Sequence, residues 1–584
     1  MKPQTSVLAS NKTVLDLYIL VWAAWVLWVH TIGRLPYGLS LPVTLLFDGG
    51  ILFFCWNFKF YPDVNTPILN ALIPKKILFS QGLLWMSLVV LVLCSMIFTA
   101  FFQLPLDWDG MDYHLPPLVE AWQNGSWAHS LNPYFAARNY PKSGGLPFLL
   151  WICHFGDFLG LRAVLVVSLF HWIAGLCASY FLFGKNLWTF LFWVSFPLIC
   201  RQGVNAYADL PALTSLLIFC VFILQKKPGL AALALALHGS TKFTHLASGV
   251  GAIIGLQLFW LLLKENIFSA KKLKTTFFIS IVFLIFAILQ PLENYFYENK
   301  PFGPLQCKFL GYDFCSGSID PGSMVVEPVI DFPKNQNWLV KIFRGWSPAQ
   351  LIPGTDVHHG GFGWAWLLPL FYGLFCLIHR KALKQKSFSG GFAGECTAGT
   401  RAGSASDNAR CAGDKLGRKS DTVLCGVMVL SVADFFIPAL WYPRYHLGLG
   451  WILCMLAAFS LEKMNVKSII YKISMFALFL QLFWIFPQRA WFLGIQNFSD
   501  LPKFFENLKS ITINGHPKHA THSSDQRSFQ FYGLRNKKIL VCTSSQKDPI
   551  RPIVAAYGAS LTNSVQWTKE CTEPNVEYLI LEKN

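Results

Sequence analysis

The segment LDWDGMDYHLPPLVEAWQNGSW, residues 106–127, carries the densest chemistry in the chain. Asp107, Asp109 and Asp112 fall within six positions, beside Tyr113 and His114. The segment directly follows an apolar run, so these groups sit at a membrane surface. A carboxylate held there can accept a proton from a hydroxyl or hold a metal ion. A solvated acidic loop is the plain alternative. The paired Pro116-Pro117 and the aromatic density argue for an ordered loop.

Other ionisable residues stand at the ends of apolar runs or inside them. Asp209 follows Tyr207 and precedes Leu210-Pro211. It either caps a helix N-terminus or orients a substrate hydroxyl or an arginine. His114 is read as a structural residue, as an orienter of Asp109, or as a member of a metal site. His358-His359 lack the further ligands at fixed spacing that zinc needs. Asp434 lies within an apolar run, where a carboxylate costs about 2.5–3.5 kcal/mol on insertion scales; a protein partner is expected for it. Glu293 and Glu298 read as markers of the membrane interface.

The elements that must position these groups are helices in a membrane. The chain has 584 residues, 54% hydrophobic and 14% charged, whereas a soluble protein carries about a quarter charged residues. Apolar spans are read at 14–32, 38–57, 79–101, 163–183, 187–203, 208–225, 229–243, 246–263, 275–292, 362–379, 422–441, 446–461 and 468–487, each near the length that crosses a bilayer. The run 145–158, short and holding His154 and Asp157, reads as a re-entrant or interfacial helix. Phe (52) and Trp (22) are abundant, as lipid-facing and interfacial surfaces require.

The net charge of +17 excludes little by itself. Its distribution decides, because Lys and Arg cluster between spans as cytoplasmic anchors, and this argues against nucleic acid as a partner. Lys2 and Lys12, Lys59 to Lys76, Lys185, Lys226-Lys227, Lys264 to Lys274, Arg380 to Lys419 and Lys463 to Lys472 all fall on one side when the N-terminus is cytoplasmic. That pattern favours an odd number of spans, about thirteen, with the C-terminus outside. The 15 cysteines show no CxxC pair. Cys307 and Cys315 share one extracytoplasmic loop and could form a disulfide.

Three units follow: a two-helix membrane segment at 1–78, a transmembrane domain at 79–487, and a tail at 488–584. Residues 387–421, rich in Gly, Ala, Ser and Arg, read as a disordered cytoplasmic loop. In the tail, KKILVCTSS and VEYLILEK read as strands and PIRPIVAAYGAS as a helix, together a small extracytoplasmic α/β module.

WDGMDYHLP followed by WQNGS resembles the first-loop signature of the GT-C superfamily of integral membrane glycosyltransferases, which includes the protein O-mannosyltransferase and lipid A aminoarabinose transferase types and bacterial relatives. Asp109 with Tyr113 matches the acidic residue and the tyrosine four positions on; the second acidic residue of many members is Gly110 here. NYPKSGGLPF (139–148), NAYADLPALTSLL (205–217), GLAALALALHGSTKFTHL (229–246), NYFYENKPFGPLQ (294–306), HHGGFGWAWLLP (358–369) and YPRYHLGLGW (442–451) are similar to later elements in the same order. The likeness covers roughly residues 79 to 465.

The resemblance implies an all-α polytopic fold and a membrane glycosyltransferase of the bacterial inner membrane. Its donor would be a polyprenyl-phosphate sugar. Its acceptor would be a glycolipid, polysaccharide or protein. Asp109 would serve as general base, with inversion at the anomeric carbon. Asp112, Tyr113, His114 and Asp209 would line the substrate site. The departing phosphate needs cationic compensation, for which Arg138, Lys142, Arg201, Lys242 and Arg444 are candidates, Lys242 and Arg444 foremost. Snorkelling at span ends is the alternative role for such side chains. No cofactor is implied with certainty, and a divalent metal is compatible with the acidic loop. The competing reading is a lipid or polysaccharide transporter or flippase without covalent chemistry. It predicts ionisable groups near mid-bilayer and repeated broken helices, and no internal repeat is found.

Overall fold

The computed structural model describes residues 14–57, 79–102, 110, 114–123, 125–128, 139–159, 163–183, 187–299, 301–302, 306–309, 312–316, 365–373, 375, 421–437, 446–464, 468–489, 539–543, 565–568 and 577–581. They are predominantly helical. In chain order the numbered helices are α1 (Val14–His30), α2 (Leu41–Asn57), α3 (Phe79–Phe102), α4 (Pro116–Gln123), α5 (Leu146–Leu159), α6 (Val166–Phe183), α7 (Leu187–Ser195), α8 (Pro197–Gln202), α9 (Asp209–Leu224), α10 (Pro228–Gly239), α11 (Phe243–Leu262), α12 (Ala270–Glu298), α13 (421–435), α14 (Leu447–Lys463) and α15 (Ile469–Arg489), and residues 367–373, between α12 and α13, are helical as well.

Among the described residues, four helical stretches are long and apolar enough to cross a membrane: Val14–Arg34, Val166–Phe183, Phe243–Leu262 and Ala270–Tyr297. Several expected spans are shorter. The run 187–203 is broken into α7 and α8 at Phe196, because Pro197 has no N–H to continue the helix. The run 229–243 forms only the 12 residues of α10, about 18 Å of rise. One face of α12 presents Leu273, Phe277, Ile281, Leu284 and Ile288 outward. Their three- and four-residue spacing makes one continuous apolar stripe, the surface that lipid would cover.

α10 sits at the centre of the bundle, packed against α1, α9, α11 and α12. Its Ala231, Ala232, Ala234 and Ala236 are fully buried, and such small side chains let neighbouring helices approach closely. α11 uses glycine in the same way. A Cβ on Gly251 would stand 2.8 Å from the Val432 carbonyl oxygen, and one on Gly255 2.9 Å from that of Met428. These two positions, one turn apart, seat α11 directly on the backbone of α13.

An ion pair fixes one end of the bundle. Lys227, between α9 and α10, binds Asp16 in the first turn of α1 at 2.6 Å. At the other ends of the same helices lie His30 on α1, Asp209 on α9 and Lys242 before α11. The chain therefore alternates direction through α9, α10 and α11 as the charge pattern predicts. The functional candidates collect at the end away from Lys227.

Outside the bundle, β1 (Gln306–Phe309) and β2 (Tyr312–Ser316) form an antiparallel hairpin with Cys307 opposite Cys315. Near the C-terminus, β3 (Ile539–Thr543) pairs in parallel with β4 (Val565–Thr568) on one side and β5 (Glu577–Leu581) on the other. β3 and β5 are the strands expected from KKILVCTSS and VEYLILEK. β4 was not anticipated, and the expected helix lies outside the described residues.

Candidate functional site

Asp209 is the first residue of α9, and Ala208 occupies the N-cap position without a side-chain cap bond. The capping role considered for Asp209 is thus not the one observed. Its Oδ1 accepts from Lys242 Nζ at 3.1 Å, with the two side chains 2% and 7% exposed. Lys242 is the N-cap residue of α11, in an extended conformation. The turn Ser240–Thr241 between α10 and α11 delivers it back across the start of α9. A buried pair of this kind tolerates the loss of neither partner, since each charge is desolvated against the other.

Histidines brace this turn from below. The Thr241 hydroxyl donates to the His238 carbonyl at 2.7 Å, so it accepts from His245 Nδ1, also 2.7 Å away. His238 Nδ1 donates to the Ala212 carbonyl at 2.9 Å, which leaves Nε2 to accept from Ser248 Oγ at 2.9 Å. The two rings lie 5.1 Å apart. These hydrogen bonds tie α9, α10 and α11 together directly beneath Lys242.

The NYPKSGG loop covers the pair. A Cβ on Gly144 would meet Thr241 Cγ2 at 3.2 Å and Ala208 Cβ at 3.4 Å, so this backbone lies close against both the Asp209 and the Lys242 sides. α1 holds the loop from the other side: the Trp22 indole donates to the Ser143 carbonyl at 2.9 Å and that of Trp25 to Leu146 at 2.7 Å. Lys142 is buried. Its Nζ donates to the Tyr140 carbonyl at 3.2 Å and to Gln290 Oε1 at 3.4 Å, and lies 6.0 Å from the Trp127 ring centroid. The His114 carbonyl is 3.8 Å from a Cβ built on Gly145, which puts the downstream end of the acidic segment against this same loop.

Glu293 is the residue that sequence reasoning undervalued. Taken as an interface marker, it is a buried hub: Arg34 donates to its Oε2 at 2.6 Å, Trp127 Nε1 at 3.3 Å, and His30 Nδ1 lies at 3.9 Å. One face of α12 continues the network, with Gln290 donating to Asn294 Oδ1 and Asn294 donating to the Asn139 and Pro301 carbonyls. The signal was present, since Gln290, Glu293 and Asn294 recur at helical spacing on an otherwise apolar helix.

The structure therefore gathers His114, Lys142, Asp209 and Lys242 at one end of the bundle. Arg201 is half-buried in the last turn of α8. Asp109, Asp112, Tyr113, Arg138 and Arg444 lie outside the described residues. Among the described residues, no three His, Cys, Asp or Glu side chains are placed to hold a metal ion. Asp434, for which a protein partner was expected, accepts the backbone N–H of Leu449 at 2.6 Å. Compared with known proteins, the chain matches no family model, no curated protein and no solved structure.

Proposed function

We propose that the chain is an integral membrane glycosyltransferase. On this reading it moves a sugar from a polyprenyl phosphate to an acceptor hydroxyl outside the cytoplasm. The observation that carries the reading is the buried Lys242–Asp209 pair, roofed by the Lys142 loop at one end of an apolar bundle. Cations desolvated beside a membrane surface are suited to a lipid-borne phosphate, because the low dielectric strengthens their attraction for it.

Asp109 takes the proton of the acceptor hydroxyl. The acceptor oxygen then attacks the anomeric carbon from the face opposite the phosphate, and the bond from that carbon to the phosphate oxygen breaks. The sugar leaves with inverted configuration, and polyprenyl phosphate departs with the bonding electron pair. Lys242 and Lys142, with Arg444, meet the growing phosphate charge. Asp209 holds Lys242 in place until the donor arrives. The proposal includes about thirteen spans, a cytoplasmic N-terminus in a bacterial inner membrane, and a small α/β module built on β3, β4 and β5.

The test is sugar transfer by the purified chain from a polyprenyl-phosphate sugar. Wild type should release polyprenyl phosphate and form a glycosylated acceptor, and Asp109→Asn should do neither while folding normally. Full transfer by Asp109→Asn would remove the mechanism.

One observation favours the flippase reading. Asp48 lies seven residues into α2, where its carboxylate is 40% exposed and 2.6 Å from His154 Nε2. An ionisable pair partway along a membrane helix is a common mark of a transport path. Under that reading, Asp48→Asn stops lipid movement across vesicles, and Asp109→Asn does not.

A further inference from the structure

The N-terminus of α14 is buried inside the bundle, where water cannot satisfy its free N–H groups. Its own N-cap residue, His446, makes no side-chain cap bond and is fully buried. The cap comes instead from another helix. The Asp434 carboxylate, at the end of α13, accepts the N–H of Leu449 at 2.6 Å and that of Gly448. Those are the second and third helical positions, the donors that a serine or aspartate at the N-cap would take. The match is close enough that a Cβ on Gly448 would stand 2.9 Å from Asp434 Oδ1.

This contact closes a circuit. Lys242 begins α11; α11 seats on α13 through Gly251 and Gly255; α13 ends in Asp434; Asp434 fixes the start of α14. α14 packs in turn on α9, the helix that begins at Asp209. His446 and the first turn of α14 are therefore held by a bond made on a different helix.

We infer that Asp434 is a positioning residue. By capping α14 from outside that helix, it sets how His446 and the start of α14 sit against α9, the helix that begins at Asp209. The functional part of this inference rests on the proposed transferase; the structural part stands without it. Asparagine still offers an acceptor oxygen to an N–H, and leucine of similar size offers none.

The experiment uses the full chain in lipid nanodiscs, with Asp434→Asn and Asp434→Leu. Amide exchange in 446–452 should rise about tenfold in Asp434→Leu and stay near wild type in Asp434→Asn. The α9 segment 209–224 should be unchanged in both. His446, buried in wild type, should become reactive to diethyl pyrocarbonate in Asp434→Leu alone. Unchanged exchange and labelling in Asp434→Leu would overturn the inference, as would faster exchange spread over α9.

Transfer is then read on the same samples. It should fall in Asp434→Leu and survive in Asp434→Asn. If Asp434→Asn is as inactive as Asp434→Leu while its exchange is normal, the carboxylate acts by its charge and the positioning role fails. If wild type itself transfers nothing, the transferase reading fails, and exchange and labelling still decide the cap.

Discussion

Arg34 reaches across 259 positions of sequence to donate to Glu293 at 2.6 Å. Arg34 lies in a short 3-10 turn just after α1, and Glu293 one turn before the end of α12. The bond joins the first helix of the chain to the helix that also carries Gln290, the acceptor for Lys142. With the Trp22 and Trp25 indoles on the Lys142 loop, it makes α1 part of the scaffold of the candidate site. Arg34→Ala removes the short charge-assisted bond to the buried Glu293 carboxylate. Thermal unfolding in detergent should show a loss of about 1–3 kcal/mol, with Glu293→Gln milder because a neutral amide replaces the buried charge.

The Lys242–Asp209 pair makes a sharper case, since both side chains are almost fully buried. Lys242→Met strands a carboxylate in the interior and should cost about 3–5 kcal/mol. The double variant Lys242→Met with Asp209→Leu should recover much of that stability, because an apolar pair of similar volume incurs no desolvation penalty. It should not recover sugar transfer. A stable double variant that remains active would exclude both residues from the chemistry.

Two glycine substitutions should separate close approach from open space. Gly251→Ala forces a methyl to 2.8 Å from the Val432 carbonyl oxygen and the Phe436 ring. The helices must part, at about 1–3 kcal/mol. Gly49→Ala, in α2, meets nothing within 4 Å. There the gain in helix propensity should raise stability by about 0.5–1 kcal/mol. Unfolding temperatures of the two variants should move in opposite directions.

The membrane character of the chain was legible because hydropathy and charge act locally. The Lys226-Lys227 turn was expected at the opposite end of its helices from Asp209 and Lys242, and it lies there. The breaks were less legible. Residues 187–203 read as one apolar run, yet Pro197 divides it, because one missing N–H outweighs uniform hydropathy. The roles of acidic residues were least legible. Asp209, Glu293 and Asp434 are each defined by partners 33, 259 and 15 positions away. No local pattern reveals which helix end will be buried against which carboxylate. Asp434 caps a helix it does not belong to, and a sequence window around it shows only a charge in an apolar run.

The hairpin β1–β2 gives a test of sidedness that needs no substitution. Its register sets Cys307 directly opposite Cys315. Directly opposed residues in an antiparallel pair have Cα atoms about 4.5–5.5 Å apart, inside the range of roughly 4.4–6.8 Å that a disulfide spans. The backbone register thus pairs the two positions as a disulfide requires, and the compartment decides whether the bond forms. An oxidising exterior closes the bond, and a reducing cytosol keeps it open. Peptide mapping of the chain, alkylated before lysis and digested without reductant, should yield one linked pair of peptides containing Cys307 and Cys315. Reductant should separate them. Recovery of both as alkylated thiols would put the segment after α12 in the cytosol, and with it the end of the bundle that carries Glu293, Lys142 and Lys242; the transferase proposal, which needs that end outside, would go with it.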